Sequence, residues 1–134
     1  MTTGRLATTL TRRLAPLLAG GLLLVLNACG SERDTSATAP ATADLEVRAI
    51  DGLAWDAKSY TATAGSVTIY SENDSVLPHN LHVLDSAGTD MGAKIDLPTP
   101  GSSGTIDLDL IAGEYRIVCK IAGHDSMVST LTVS

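Results

Sequence analysis

The stretch GTIDLDLI, residues 104–111, sets Ile106, Leu108 and Leu110 on one side of an extended chain and Asp107 and Asp109 on the other. A period of two is the mark of a strand with one buried and one wet face, since successive side chains of a strand point to opposite sides. The same alternation recurs on both sides of it. LEVRAI (45–50) places Leu45, Val47 and Ala49 together, and GSVTIYSEN (65–73) alternates through Val67 and Ile69. HNLHVLD (79–85) puts Leu81 and Val83 on the face of His79. A shorter extended stretch lies at 59–63, and EYRIVCK (114–120) and MVSTLTVS (127–134) complete the series. About seven short strands parted by Gly, Pro, Asn and Ser turns predict an all-β, antiparallel sandwich or barrel. Helix is expected for a turn or two at most, near 85–95, with Met91 packing in the loop DMGAK. The chain has no Phe, so the core must come from Val, Leu and Ile with Trp55, Tyr60, Tyr70 and Tyr115.

Upstream, residues 1–28 read as an export leader. Arg5, Arg12 and Arg13 precede an apolar run from Leu14 to Leu26 and then small residues, the layout of a secretory signal and too short for a confident membrane span. LNAC at 26–29 resembles the lipobox of bacterial lipoproteins, which implies cleavage before Cys29 and a lipid on its sulfur. The alternative is an ordinary signal peptide with a chance cysteine. Residues 29–43, rich in Ser, Thr, Ala and Pro without apolar periodicity, read as a flexible spacer, and 44–134 as one folded domain. The expected location is lipid-anchored at the membrane, on its extracytoplasmic or periplasmic side.

From Cys29 onward 106 residues remain, enough for a single small domain. All 15 acidic residues lie in that part and only six of the nine basic ones, a formal charge of −9. Such a surface argues against nucleic acid and against binding anionic lipid by charge, and it suits a basic protein partner. With Cys29 assigned to lipid, Cys119 is the only other cysteine, and no disulfide can form inside the domain. A lone thiol in an oxidising compartment must be buried or engaged.

Two segments concentrate metal-binding chemistry: LPHNLHVLD at 77–85 and CKIAGHDSM at 119–127. Together they hold a thiol, imidazoles and a thioether, a soft and borderline set that suits copper in both oxidation states better than magnesium, calcium or a closed zinc site. Taken singly, Cys119 and Met127 are ordinary core residues and His79 an ordinary hydrogen-bonded edge histidine. His82, by strand alternation, points away from His79 and is expected at the surface. Asn73-Asp74-Ser75 matches a glycosylation sequon, read here as chance.

The motifs Pro78-His79-Asn80 and Cys119-x4-His124 followed by Met127, with VSTLTV (128–133) after them, resemble those of the cupredoxins, the plastocyanin- and azurin-like type 1 blue copper proteins. The resemblance implies a Greek-key β-sandwich or barrel of about seven to eight strands. It implies one copper ion held by His79, Cys119 and His124, with Met127 as a weak axial ligand and Asn80 tying the two ligand segments together. Only Asp125 and Ser126 separate His124 from Met127, a shorter interval than in many cupredoxins, and Ala122 stands where the family usually carries Pro. No Ser-His-Asp order, phosphate loop or second metal cluster suggests an enzyme. The expected role is a monomeric, membrane-anchored carrier of single electrons between transient redox protein partners. A lipoprotein that binds or delivers copper without turnover, or a scaffold module, is the alternative.

Overall fold

In the computed structural model, which describes residues 37–134, the chain forms nine strands and no helix among the described residues. They are β1 (Leu45–Ile50), β2 (Ala54–Trp55), β3 (Ser59–Ala62), β4 (Gly65–Asn73), β5 (His79–Leu84), β6 (Asp90–Leu97), β7 (Ser103–Leu110), β8 (Gly113–Val118) and β9 (Val128–Val133). One sheet runs β2-β1-β4-β7 and the other β3-β9-β8-β5-β6. The leader, Cys29 and the first part of the spacer lie outside the described residues.

Alternation in the sequence becomes two inner faces. Opposite GTIDLDLI, β4 pairs antiparallel with β7, Val67 against Leu108 and Ile69 against Ile106, and Val67, Ile69, Leu108 and Leu110 are all buried. The facing sheet contributes Leu81, Val83, Ile117 and Leu131, each fully buried, together with Tyr60 and Tyr115, while Trp55 of β2 joins the core from the same sheet as β4 and β7. Each such aliphatic side chain contributes about 1.5–3 kcal/mol by leaving water, which is how a domain without Phe holds two sheets together. At the base of β8 the Tyr115 hydroxyl donates to the carbonyl of Ile111 at 3.1 Å, bracing the turn from β7.

Four expectations are corrected. The segment 85–95 contains no helical turn: Asp85–Thr89 is a tight turn, with Asp85 N–H donating to Thr89 O at 2.8 Å, and Asp90 begins β6. Met91 therefore sits in a strand, partly buried against the core, and not in a loop. Periodicity hid this strand because its first half, Asp-Met-Gly-Ala, lacks β-branched residues, and of its inward positions only Ile95 and Leu97 are buried outright. Nor are the sheets purely antiparallel, since β1 pairs parallel with β4 and β3 with β9. The chain crosses between sheets at β2 and β3, so β4 returns beside β1 in the same direction. Finally, Tyr70 is buried on the outer face of its sheet, outside the core. There its hydroxyl meets Glu72 at 3.2 Å and the carbonyl of Ala37 at 3.3 Å. Glu72 also accepts from the Ala37 N–H at 2.7 Å and pairs with Arg48 at 3.1 Å.

Topology decides where chemistry can collect. The last residue of β4, the first of β5 and the exit of β8 all lie at one end of the sandwich. The 74–78 and 119–127 connections close that end.

Candidate metal centre

His79 opens β5 and points inward, because it shares the face of Leu81 and Val83. Cys119 follows the last residue of β8, the antiparallel neighbour of β5. Local turns then bring His124 back. His124 N–H donates to Ile121 O at 3.0 Å and Met127 N–H to His124 O at 2.9 Å, while Cys119 N–H donates to Met127 O at 3.2 Å and shuts the loop. Gly123 lies at φ +87°, a conformation that side chains rarely adopt, so the turn depends on glycine.

The ligand atoms of His79, Cys119 and His124 all fall within 4.8 Å of one another, and all three residues are buried. Cys119 Sγ is 3.5 Å from His124 Nδ1, and the two imidazole rings lie 5.0 Å apart between centroids, tilted by 55°. Nδ1 of His79 is buried without a hydrogen-bond partner. A buried polar atom left so costs about 1–3 kcal/mol, an expense that a metal ion would remove. Burial, and then the nearby His124 ring, hold the His79 imidazole below its ordinary pKa, in the neutral form that ligates. A thiol and two imidazoles converging in a water-poor site suit a soft or borderline transition metal. The residues present fit such an ion.

Asn80 occupies the linking position that the sequence suggested. Its backbone N–H points at Cys119 Sγ at 3.5 Å, and its side-chain Oδ1 accepts the Lys120 N–H at 2.7 Å. One residue thus steadies the sulfur and stitches β5 to the loop that carries it. Met127 is 1% exposed and belongs to the core. It stands abreast of Cys119 through the main-chain bond that closes the loop. His82 lies on the other face of β5, as alternation predicts, with Nδ1 2.8 Å from Asp90 Oδ2. The same carboxylate oxygen accepts from Lys120 Nζ at 2.6 Å.

Sequence reasoning missed two further residues. Ser75 Oγ lies 2.7 Å from His79 Nε2, and Asn73 Oδ1 accepts from both Ser75 N–H and Ser75 Oγ at 2.9 Å. Asn73 is fully buried, and its Nδ2 donates to the carbonyls of Leu77 at 2.8 Å and Leu97 at 3.1 Å. The apparent sequon is in fact a piece of the site's framework. The signal was there in polar residues clustered between a strand and PHN, but turn chemistry explained it equally well.

Comparison with solved structures gives consistent neighbours. Auracyanin from the photosynthetic bacterium Roseiflexus castenholzii, crystallised in the dithionite-reduced form, aligns at a TM-score of 0.60 and 22% identity, over 67% of this chain and 95% of its own. An azurin from the methylotroph Methylomonas sp. strain J aligns at 0.61 and 16%, over 70% and 99%. Auracyanin A of Chloroflexus aurantiacus, described as a blue copper protein, aligns at 0.58 and 24%, over 66% and 96%. No protein-family model and no curated protein sequence matches the chain. The β-sandwich that brings His79, Cys119 and His124 together at one end is therefore a cupredoxin fold.

Proposed function

We propose that this protein is a type 1 copper electron carrier, tethered by a lipid on Cys29 at the extracytoplasmic face of a membrane and exchanging single electrons with redox proteins. The observation that carries the reading is the convergence of three buried residues, His79, Cys119 and His124, with one ligand atom from each within 4.8 Å of the others, beside a His79 ring nitrogen that has no hydrogen-bond partner. Copper, when bound, supplies one-electron exchange. Cys119 offers the thiolate, His79 and His124 the imidazole nitrogens, and Met127 a thioether from the same loop. Sheet hydrogen bonds and the Asn80 bridge hold these groups in place, so a change of oxidation state calls for little movement of the chain.

His124 keeps a residual 9% exposure, and the residues just before it are the exposed Ala122 and Gly123 and the partly buried Ile121. Val76 and Leu77, from the 74–78 connection, are exposed at the same end. These exposed uncharged residues near His124 support a small, short-lived interface, as a carrier that must release its partner needs. The leader and LNAC at 26–29 support the anchor, and the charge of the domain supports a basic partner.

The test is to load the full mature protein with Cu(II). An intense thiolate-to-copper absorption with reversible one-electron voltammetry is expected. Tight Cu(I) binding without a stable coloured Cu(II) form would make the protein a copper-delivery module. No binding at all would leave a scaffold and refute the metal site.

A further inference from the structure

The hydrogen bond behind His79 ends on a side chain, and that side chain is itself oriented by another. Ser75 Oγ has one proton to give and two acceptor directions. Asn73 Oδ1 lies 2.9 Å away and Leu77 O 3.2 Å, while Leu77 N–H approaches as a donor at 3.2 Å. The Asn73 amide is unambiguous in orientation, since its nitrogen faces two carbonyls and its oxygen faces the Ser75 N–H. With the Ser75 proton directed to Asn73 Oδ1, Oγ accepts from His79 Nε2–H at 2.7 Å. That arrangement puts the ring proton on Nε2 and leaves Nδ1 as a bare lone pair free to ligate, in agreement with its being buried without a hydrogen-bond partner. Asn73, Ser75 and His79 are each at most 2% exposed, so water does not compete for these bonds. Asn73 is in turn fixed to both layers, through its place in β4 and its bond to Leu97 of β6.

We propose that Ser75, oriented by Asn73, is a positioning residue that sets the tautomer and donor strength of His79 and thereby lowers the reduction potential of the bound copper; this rests on the metal-site reading above. A hydroxyl that donates onward is a better acceptor. An imidazole whose distal N–H is accepted in this way is a more basic ligand. The doubly charged ion gains more from that basicity than the singly charged one.

The test compares the wild-type protein with Ser75→Ala and Ser75→Thr. Copper affinity is measured in each oxidation state, the potential by voltammetry, and the His79 ring by nitrogen NMR of the metal-free protein. In wild type the ring is expected as the Nε2–H tautomer with a slowly exchanging proton. Ser75→Ala is expected to weaken Cu(II) binding about tenfold or more. If Cu(I) binding is spared, a tenfold difference raises the potential by about 59 mV. Ser75→Thr, which keeps the hydroxyl, is expected to restore both. A wild-type ring protonated on Nδ1 overturns the proposal even if Ser75→Ala fails to fold. So does a folded Ser75→Ala variant with wild-type potential and proton exchange. Failure of the wild type to bind copper would instead remove the metal-site reading itself.

Discussion

Replacing Asp90 by Asn should expose how much the His82–Asp90–Lys120 cluster contributes to holding the loop that carries Cys119. Lys120, then the Gly92 N–H, then His82 favour the ionised carboxylate, which lowers its pKa from 3.8 to about 2. At ~1.4 kcal/mol per unit, that depression corresponds to roughly 2.5 kcal/mol of stabilisation in the ionised form. The carboxylate is 28% exposed and Lys120 43%, so solvent screening cuts the net effect to about 1–2 kcal/mol. Because the folded-state pKa is the depressed one, the contribution is whole above about pH 5, roughly halved near pH 3 and nearly gone at pH 2. Urea unfolding of metal-free wild type and Asp90→Asn should therefore differ by ~1–2 kcal/mol at neutral pH, and the two midpoints should approach each other as the pH falls toward about 3. In a domain of about 100 residues the neutral-pH difference is about 4–12 °C in Tm. Lys120→Met should remove most of the same energy, and the double variant should cost less than the two single changes added together. A stability gap that stays constant between neutral pH and about pH 3 would show that the charge on Asp90 is not what matters, and the reasoning would fail.

Three further outcomes follow from the geometry. Cys119→Ser should stay folded, within ~1 kcal/mol of wild type, since a hydroxyl can still accept the Asn80 N–H; it should lose the thiolate-to-copper absorption, and an unchanged visible spectrum would disprove the ligand set. Met127→Leu should retain that absorption while its reduction potential moves, whereas a potential identical to wild type by voltammetry would remove Met127 from the axial position. Gly104→Leu should lower stability by about 1–3 kcal/mol, read from the denaturation midpoint, because even a Cβ there would stand 2.9 Å from Ile95 Cγ2 where β7 approaches β6.

What could be read in the sequence was whatever repeats or whatever chemistry clusters. GTIDLDLI and its neighbours announced their strands to within a residue or two, because one face is apolar and the other is not. Strand β6 stayed hidden, since its buried positions begin only at Ile95. Strand β2 stayed hidden because two residues carry no period. His79, Cys119 and His124 were legible as ligand types near strand ends, and the antiparallel pairing of β5 with β8 brings them together. Ser75 and Asn73 were not. Their meaning depends on the chain doubling back between β4 and β5, a matter of three-dimensional path that no spacing rule records. Tyr70 was misplaced for a related reason: alternation does not reveal that chain near Ala37 covers the outer face of its sheet.

The buried amide of Asn73 has a consequence for anyone producing the protein in a host that adds glycans during secretion. Asn73-Asp74-Ser75 is an acceptor tripeptide while the chain is extended, yet in the native state both of its polar ends are sealed inside. Sugar attachment and folding would then compete for the same nitrogen in each nascent molecule, and whichever came first would exclude the other. Material recovered from yeast or mammalian culture should split into a glycan-free native fraction and a modified fraction unable to close the end of the sandwich, in a ratio that reports how fast β4 and β6 come together.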